Sequence, residues 1–219
     1  MKNQYVGDVN DYKKYSLIEI VSEVLNEKVL VAWMLTKDDG KTDGNKLDYL
    51  KNAHNERQFN PTLFDQLKAI DKNKRGVDDV EKILGSKYSF HSEVLSDTKA
   101  DREKYFEAVL KKAKEAGLVF FDPNNGIEVK SVKYGNKNSS KYLYWSEIQK
   151  TVEAGKDVLI YQHFPREKHE TYIERRKNEL HEKTNLDVLP IETANVLFLL
   201  ATKQGNKLSE IKNKWEEKF

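Results

Sequence analysis

Strand-like runs that alternate with helix-like stretches are the feature of this 219-residue sequence that most constrains its fold. The strand-like runs are short and contain apolar residues in a strand pattern: residues 28–35, 87–95, 118–122 and 157–164. The other stretches show helical spacing or helix-capping residues: residues 11–27, 42–55, 60–71, 77–84, 97–116, 143–155 and 166–183. Because strands that alternate with helices form parallel sheets covered on both faces, this pattern predicts an α/β fold.

The C-terminal part of the chain breaks the alternation. Residues 185–204 have the pattern of two strands joined by a short turn around Glu192 and Thr193, and a last helix follows. This pattern predicts an antiparallel hairpin at one edge of a mostly parallel sheet. The sequence has no linker rich in Pro, Gly or Ser, and we therefore expect a single domain over residues 1–219.

Composition narrows the classes of protein. The chain contains no cysteine, which excludes a disulfide scaffold, a thiolate metal site and a cysteine nucleophile. It begins without the apolar segment of a signal peptide, and its apolar runs are much shorter than the ~20 residues of a membrane span. The sequence therefore predicts a cytoplasmic protein without a membrane partner. The net charge of +2 is too small to indicate nucleic-acid binding by itself.

The end of the run at residues 118–122 is the first candidate site. Asp122 and Pro123 follow four apolar residues, and Asn124, Asn125 and Gly126 come next. Ligands of parallel α/β sheets bind beyond the carboxyl ends of the strands, so these side chains are placed where a ligand would lie. Two interpretations remain open: a ligand-binding site, or a turn in which the Asp and Asn side chains cap the backbone.

A family resemblance involves the same segment. The sequence GDVNDYKKY (7–15) resembles the G-N-x-x-D-x-x-K-H opening of ribosomal RNA adenine-N6 methyltransferases of the RlmJ type. Gly7, Asp11 and Lys14 match, whereas Asp8 stands for Asn and Tyr15 for His. The segment DPNN stands in the place of the family's D-P-P-Y, and three-Cys-motif partner proteins are a looser likeness. The resemblance implies a three-layer αβα, Rossmann-like methyltransferase fold with seven strands, an S-adenosylmethionine cofactor and a nucleic-acid substrate.

The resemblance also implies roles for individual residues. Asp122 and Pro123 would bind an adenine amino group, and Asn125 takes the place of the aromatic residue that stacks on the flipped base. The cofactor side would be formed by residues near the N-terminus and after two strands: Gly7, Asp8, Asp11, Lys14, Thr36 and Glu93. Glu93 would bind the ribose hydroxyl groups. The family's glycine-rich loop after the first strand is replaced by a segment with Trp33 and Thr36, and Gly40 and Gly44 follow only later.

Further candidates come from the end of the next strand and from a basic segment. His163 lies at a predicted strand end, where it would act as a general base or simply occupy the surface. Residues 129–146 contain four lysines, no acidic residue and interleaved aromatic residues, a pattern that suits phosphates and stacked bases. The resulting substrate-binding candidates, with Arg166 as a phosphate or carboxylate partner, are Lys133, Lys137, Lys141, Tyr142, Trp145 and Arg166.

Two alternative functions remain open. The first is a metal-dependent nuclease that binds Mg²⁺ or Mn²⁺ through hard oxygen ligands, with His163 nearby. Its candidate ligands are Asp8, Asp11, Asp122 and Glu128. The second is a methyltransferase-fold protein that has lost the cofactor and binds nucleic acid or a protein. The bulky Trp33 in the place of a tight turn is the sequence feature that favours this alternative.

Overall fold

A computed structural model describes residues 1–37, 46–71 and 74–219 of the chain. The strands are β1 (Val29–Ala32), β2 (Tyr88–His91), β3 (Leu118–Phe121), β4 (Gly126–Ile127), β5 (Tyr142–Leu143), β6 (Asp157–His163), β7 (Asp187–Glu192) and β8 (Val196–Thr202). The helices are α1 (Val9–Leu25), α2 (Ala53–Glu56), α3 (Pro61–Lys68), α4 (Val77–Leu84), α5 (Lys99–Lys112), α6 (Trp145–Glu153), α7 (His169–Thr184) and α8 (Leu208–Glu216).

The central sheet has the strand order β2-β1-β3-β6-β8-β7. Strands β2, β1, β3 and β6 run parallel, and β8 is antiparallel to both of its neighbours, β6 and β7. The predicted α/β class and the C-terminal antiparallel hairpin are therefore confirmed. The described residues form a six-stranded sheet rather than the expected seven-stranded one, and β4 pairs with β5 in a separate two-stranded sheet.

Helices cover both faces of the central sheet. In β1, Val29 and Val31 pack in one apolar core with residues of α1, α3, α4 and α8. The alternate residues Leu30 and Ala32 pack in a second core with residues of α5, α6 and α7. This alternation is the one expected for a strand buried on both sides, and it gives the three-layer arrangement that the sequence pattern predicts.

Most predicted elements match the observed ones to within a few residues, but three segments differ. The predicted strands at residues 28–35 and 87–95 end at Ala32 and His91, and Met34 adopts a left-handed conformation with φ 45°. In the predicted helix at residues 42–55, the structure has a 3₁₀ turn at Asp48–Lys51 and the short helix α2. The first four residues of that stretch, including Gly44, and also Gly40 lie outside the described residues. None of the helices in the described ranges is long and apolar enough to cross a membrane.

Candidate functional site

A pocket of about 220 Å³ lies beyond the carboxyl ends of β3 and β6. Its walls come from three segments that are far apart in the sequence: the start of α1, the loop after β3 and the end of β6. The side chains from these segments are Asp8, Asn10, Asp11 and Lys14, then Asp122, Pro123 and Asn124, then Tyr161 and His163; Met1, Tyr5 and Lys46 complete the lining. The pocket is therefore at the edge where parallel α/β sheets bind ligands.

A buried ion-pair triad of Asp11, Lys14 and Asp122 forms the floor of this site. The Lys14 ammonium donates to Oδ1 of Asp11 at 2.7 Å and to Oδ2 of Asp122 at 2.8 Å. All three residues are buried, and Lys14 Nζ also lies 4.9 Å from the centre of the Tyr161 ring. Burial opposes the charge of Lys14, but the two carboxylates outweigh it and raise the pKa of the ammonium group above its usual range. Lys14 thus remains a cation that joins α1 to the end of β3.

Asp8 and Asp11 form an acidic pair at the start of α1. Asp8 Oδ1 accepts hydrogen bonds from the backbone N–H groups of Asn10 and Asp11 at 2.8 and 2.9 Å, which makes Asp8 the N-cap of α1. Asp11 Oδ2 accepts from the Tyr15 hydroxyl at 2.7 Å and from the Gly7 N–H at 3.0 Å. Burial and the neighbouring Asp11 raise the pKa of Asp8 to about 7. Burial also raises the pKa of Asp11, although Lys14 opposes the increase.

We expect Asp8→Asn to change the pH dependence of stability. Asn is an equally good N-cap, so the variant removes only the titrating carboxyl. The pKa of Asp8 in the folded state, about 7, exceeds its unfolded value of ~3.9, and its contribution to stability is therefore present below pH ~4 and lost as the pH rises through 7. Urea unfolding should show the variant gaining roughly 2–4 kcal/mol over the wild type between pH 4 and pH 8.

Asp78→Asn is the matched control for this experiment. Asp78 lies exposed in the first turn of α4, so its removal should shift stability by no more than ~0.5 kcal/mol at either pH. Equal pH profiles for Asp8→Asn and Asp78→Asn would contradict the raised pKa of Asp8.

Tyr161 and His163 form the wall that comes from β6. They are two residues apart in the strand and therefore lie on the same face, where the Tyr161 hydroxyl is 3.3 Å from His163 Nε2. The side chain of His163 lies at the exposed rim. Partial desolvation lowers its pKa, and the positive charges of Lys14 and Lys46 lower it further. The imidazole is therefore neutral at neutral pH, the form in which a histidine accepts a proton.

Asn124 is the pocket residue whose hydrogen bonding is incomplete. Its Nδ2 donates to Thr36 Oγ1 at 2.6 Å, and its Oδ1 is buried with no hydrogen-bond partner in the part of the chain that the structure describes. The Thr36 side chain is in turn fixed by a backbone bond, since the Thr36 N–H donates to the Met1 carbonyl at 3.0 Å. Thr36, expected to touch the cofactor, is thus observed to hold Asn124.

The structure brings nine of the predicted site residues together. Six line the pocket, namely Asp8, Asp11, Lys14, Asp122, Pro123 and His163, and three bind lining residues directly, namely Gly7, Thr36 and Asn125. The resemblance pointed to Asn125, but Asn124 is the one that lines the pocket; the carbonyl of Asn125 instead accepts from the His163 N–H and from Gln162 Nε2. Asn124 was expected at this strand end but given no role, and five other lining residues were not predicted: Met1, Tyr5, Asn10, Lys46 and Tyr161. Of these, Tyr161 could have been found from its period-2 relation to His163.

Two predicted acidic residues lie elsewhere. Glu93 is exposed just after β2 and is not among the pocket-lining residues. Glu128 Oε1 accepts from the Trp145 N–H at 2.8 Å, so its carboxylate caps α6 instead of joining Asp8, Asp11 and Asp122. Within the described ranges, no group of three or more His, Asp or Glu side chains is arranged to hold a metal ion. The Lys14 ammonium lies between Asp11 and Asp122, in the position that a shared cation would need.

Trp33 does not enter the pocket. Its ring is fully buried between Tyr15 and Phe90, with ring centres 6.0 and 6.2 Å away, and its Nε1 donates to Glu81 at 2.9 Å. The side chain belongs to the apolar core on the α1 side of the sheet. Trp33 is therefore a core residue and is not among the residues that line the pocket.

The predicted substrate-binding residues do not line the pocket. Lys133, Lys137 and Arg166 are exposed, and Lys141, Tyr142 and Trp145 are half-buried. The basic segment is nevertheless attached to the loop after β3, because the Asn125 N–H donates to the Lys141 carbonyl at 2.9 Å. A second bond, from the Glu128 N–H to the Leu143 carbonyl at 2.8 Å, extends this attachment.

Three comparisons with known proteins found no significant match. No protein-family model matches the chain, and neither the curated proteins nor the solved structures include a significant match.

Proposed function

We propose that this protein is an S-adenosylmethionine-dependent methyltransferase that modifies an amino group of a nucleic acid. The observation that carries the proposal is the meeting of the two segments that resemble the methyltransferase family. Residues 7–15 and 122–125 lie more than a hundred positions apart, yet Lys14 binds Asp122 at 2.8 Å and both segments line one pocket. The reversed strand β8 in an otherwise parallel run is a second supporting feature.

The charge of the pocket suits a cationic ligand. Three carboxylates, those of Asp8, Asp11 and Asp122, line it beside the buried ammonium of Lys14, and the buried amino group of Met1, whose pKa burial lowers to about 5, also borders it. Burial and, after it, the neighbouring Asp11 raise the pKa of Asp8, and a bound cation would oppose this increase. The ammonium and sulfonium groups of S-adenosylmethionine are such cations, and when bound that cofactor supplies an electrophilic methyl group.

The size of the pocket limits what it can enclose. About 220 Å³ is below the 300–1,000 Å³ of pockets that bury a drug-sized ligand, so it would take one end of the cofactor or one nucleobase, with the rest lying past the rim. Lys46 and His163 are at this rim. An amino nitrogen that gains a methyl group must lose a proton, and the neutral imidazole of His163 is placed to accept it.

The basic segment at residues 129–146 supports a nucleic-acid substrate. Its backbone is bonded to the loop that carries Asp122 and Asn124, so the exposed Lys133 and Lys137 lie in the segment next to the pocket. Exposed lysines neutralise backbone phosphates, and this interaction weakens as salt is added. We therefore expect binding of nucleic acid to depend strongly on ionic strength.

Ligand-induced thermal stabilisation is the first test of this proposal. S-adenosylmethionine or S-adenosylhomocysteine at ~100 times the dissociation constant should stabilise the protein by ~2.7 kcal/mol. A His163→Ala variant should keep this stabilisation and lose ~10²-fold or more of the transfer of labelled methyl groups to RNA or DNA. His169→Ala, which removes a histidine stacked on Phe164 outside the pocket, is the matched control and should keep both properties.

The same titrations separate the alternatives. No stabilisation by either sulfur nucleoside at millimolar concentration would contradict the proposal. Stabilisation by Mg²⁺ or Mn²⁺ alone, together with cleavage of nucleic acid, would favour the nuclease. Binding of nucleic acid without either ligand would favour a protein that only binds.

A further inference from the structure

We infer that Asn124, and not Asp122, recognises the amino group of a planar, nucleobase-like substrate; the nucleobase identity rests on the proposed function. The acid before the proline is the first candidate for this task, because a carboxylate accepts two hydrogen bonds from an amino group. Here, however, Asp122 is buried and its Oδ2 binds the Lys14 ammonium at 2.8 Å. This oxygen is thus committed to the ion-pair triad.

Asn124 offers another acceptor. It lines the same pocket two residues further on, and its Oδ1 is buried without a hydrogen-bond partner among the described residues. Buried polar atoms are almost always hydrogen-bonded, so an unpaired oxygen in a pocket wall points to a donor that arrives with a ligand. An amino group of the ligand would provide that donor.

Thr36 acts as the positioning residue for this contact. Its Oγ1 accepts from Asn124 Nδ2 at 2.6 Å, which directs the other end of the amide, Oδ1, away from Thr36. The amide is therefore presented to the ligand as an acceptor. A ligand that offers a carbonyl oxygen in the same place would face an oxygen and be rejected.

Three of the other lining side chains suit a flat ligand. Tyr5 and Tyr161 contribute aromatic side chains and Pro123 contributes its ring, while the enclosed volume of about 220 Å³ suits a single ring system. Aromatic side chains stack on bases of any sequence, whereas a single polar contact selects among them. The combination of flat apolar walls with one unpaired acceptor assigns the ligand class: a planar heterocycle with an exocyclic amino group.

Calorimetric titration with three nucleosides tests this inference. Adenosine carries the amino group, purine riboside lacks it, and inosine has a carbonyl in its place. The wild-type protein should bind adenosine at least ~10-fold more tightly than either analogue, a factor that corresponds to ~1.4 kcal/mol. Equal binding of the three, a preference for inosine, or no binding of adenosine up to about 10 mM would each overturn the inference.

Variants assign the preference to a residue. Asn124→Ala should abolish the preference for adenosine, Asn124→Asp should keep it, and Thr36→Val should reduce it, with all melting temperatures monitored. Asp122→Asn, which still offers an oxygen to Lys14, should keep the preference. If Asp122→Asn loses the preference for adenosine and Asn124→Ala keeps it, Asp122 and not Asn124 recognises the amino group.

The outcome separates this inference from the proposed function. A preference for adenosine in a protein that binds neither S-adenosylmethionine nor S-adenosylhomocysteine would support the role of Asn124 and contradict methyl transfer. Binding of S-adenosylmethionine with equal affinity for the three nucleosides would support methyl transfer and contradict the role of Asn124.

Discussion

Lys14→Met should lower the free energy of unfolding by about 3–5 kcal/mol at pH 8, one of the two largest effects that we expect from a single substitution in this chain. Methionine fills nearly the same space, but it leaves the carboxylates of Asp11 and Asp122 buried, side by side and without the cation that binds them at 2.7 and 2.8 Å. Each carboxylate would then be destabilised by burial and by the other. Urea unfolding measures the loss.

The control is the same substitution one position earlier. Lys13 is only half-buried and its ammonium lies 5.7 Å from the centre of the Phe219 ring, so Lys13→Met should cost less than ~1 kcal/mol. The double variant Lys14→Met with Asp122→Asn should recover part of the loss, because one of the two unpaired carboxylates is gone. Similar losses in Lys13→Met and Lys14→Met would show that the triad does not hold α1 to β3.

The stability of Lys14→Met should depend on pH because of the same two carboxyl groups, those of Asp11 and Asp122. Burial already raises the pKa of Asp11 in the native protein, and removal of Lys14 takes away the charge that opposes the increase. A carboxyl whose folded pKa lies above its unfolded value stabilises the protein below the unfolded pKa and loses that contribution as the pH rises through the folded pKa. The loss caused by Lys14→Met should therefore be smaller at pH 5 than at pH 8.

The sequence predicted the elements of the fold because their signals are local. The spacing of apolar residues in α1 and the apolar run in β3 each extend over one element, and both elements formed close to the predicted positions. The pair β4–β5 was missed, since a strand of two residues has no period to detect. It exists because the Glu128 N–H reaches the Leu143 carbonyl, a contact between segments 15 residues apart.

The sequence predicted which residues lie at the ends of the strands, because the topology of the sheet determines this. It did not predict which of their side chains enter the pocket. Strand ends of a parallel sheet meet at one edge, so Asp122 and His163 could be placed together from the sequence. The choice between the neighbouring Asn124 and Asn125 depends on the backbone torsions of an irregular loop, which residue type does not encode. Glu128 carries a carboxylate like the acidic residues of the pocket. Its carboxylate, however, accepts a hydrogen bond from the Trp145 N–H at the start of α6 and therefore does not join them.

Arg102→Met should lower the free energy of unfolding as much as Lys14→Met does. Arg102 binds two residues of the basic segment at residues 129–146. Arg102 is fully buried; its Nη2 donates to Glu147 at 2.8 Å, its Nη1 donates to the Ser139 carbonyl at 2.9 Å, and it also binds the Tyr142 carbonyl. Glu147 in turn accepts from the Tyr144 N–H at 2.8 Å. Without Arg102, the buried carboxylate of Glu147 loses its charged partner and two carbonyls lose a donor, so about 3–5 kcal/mol should be lost in urea unfolding.

Arg175→Met is the matched control, because it breaks an Arg–Glu pair of similar length in an exposed place. Arg175 binds Glu167 at 2.7 Å with both side chains partly exposed, so its loss should cost no more than ~1 kcal/mol. Adding Glu147→Gln to Arg102→Met should recover part of the loss, since the unpaired buried charge is removed. Equal effects of Arg102→Met and Arg175→Met would show that Arg102 does not support the segment.

The loss of stability in Arg102→Met should be concentrated in the basic segment at residues 129–146, the segment that we expect to bind nucleic acid. Arg102 joins α5 to the residues that flank Lys141, and Lys141 in turn is bonded through its carbonyl to Asn125 in the loop after β3. Hydrogen exchange in Arg102→Met should therefore increase first at residues 129–146, while α1 and the Lys14 triad stay protected. If that segment binds nucleic acid, affinity at low salt should fall in Arg102→Met and stay unchanged in Arg175→Met. Uniform exchange across the whole chain would instead make Arg102 a general core residue with no particular relation to the basic segment.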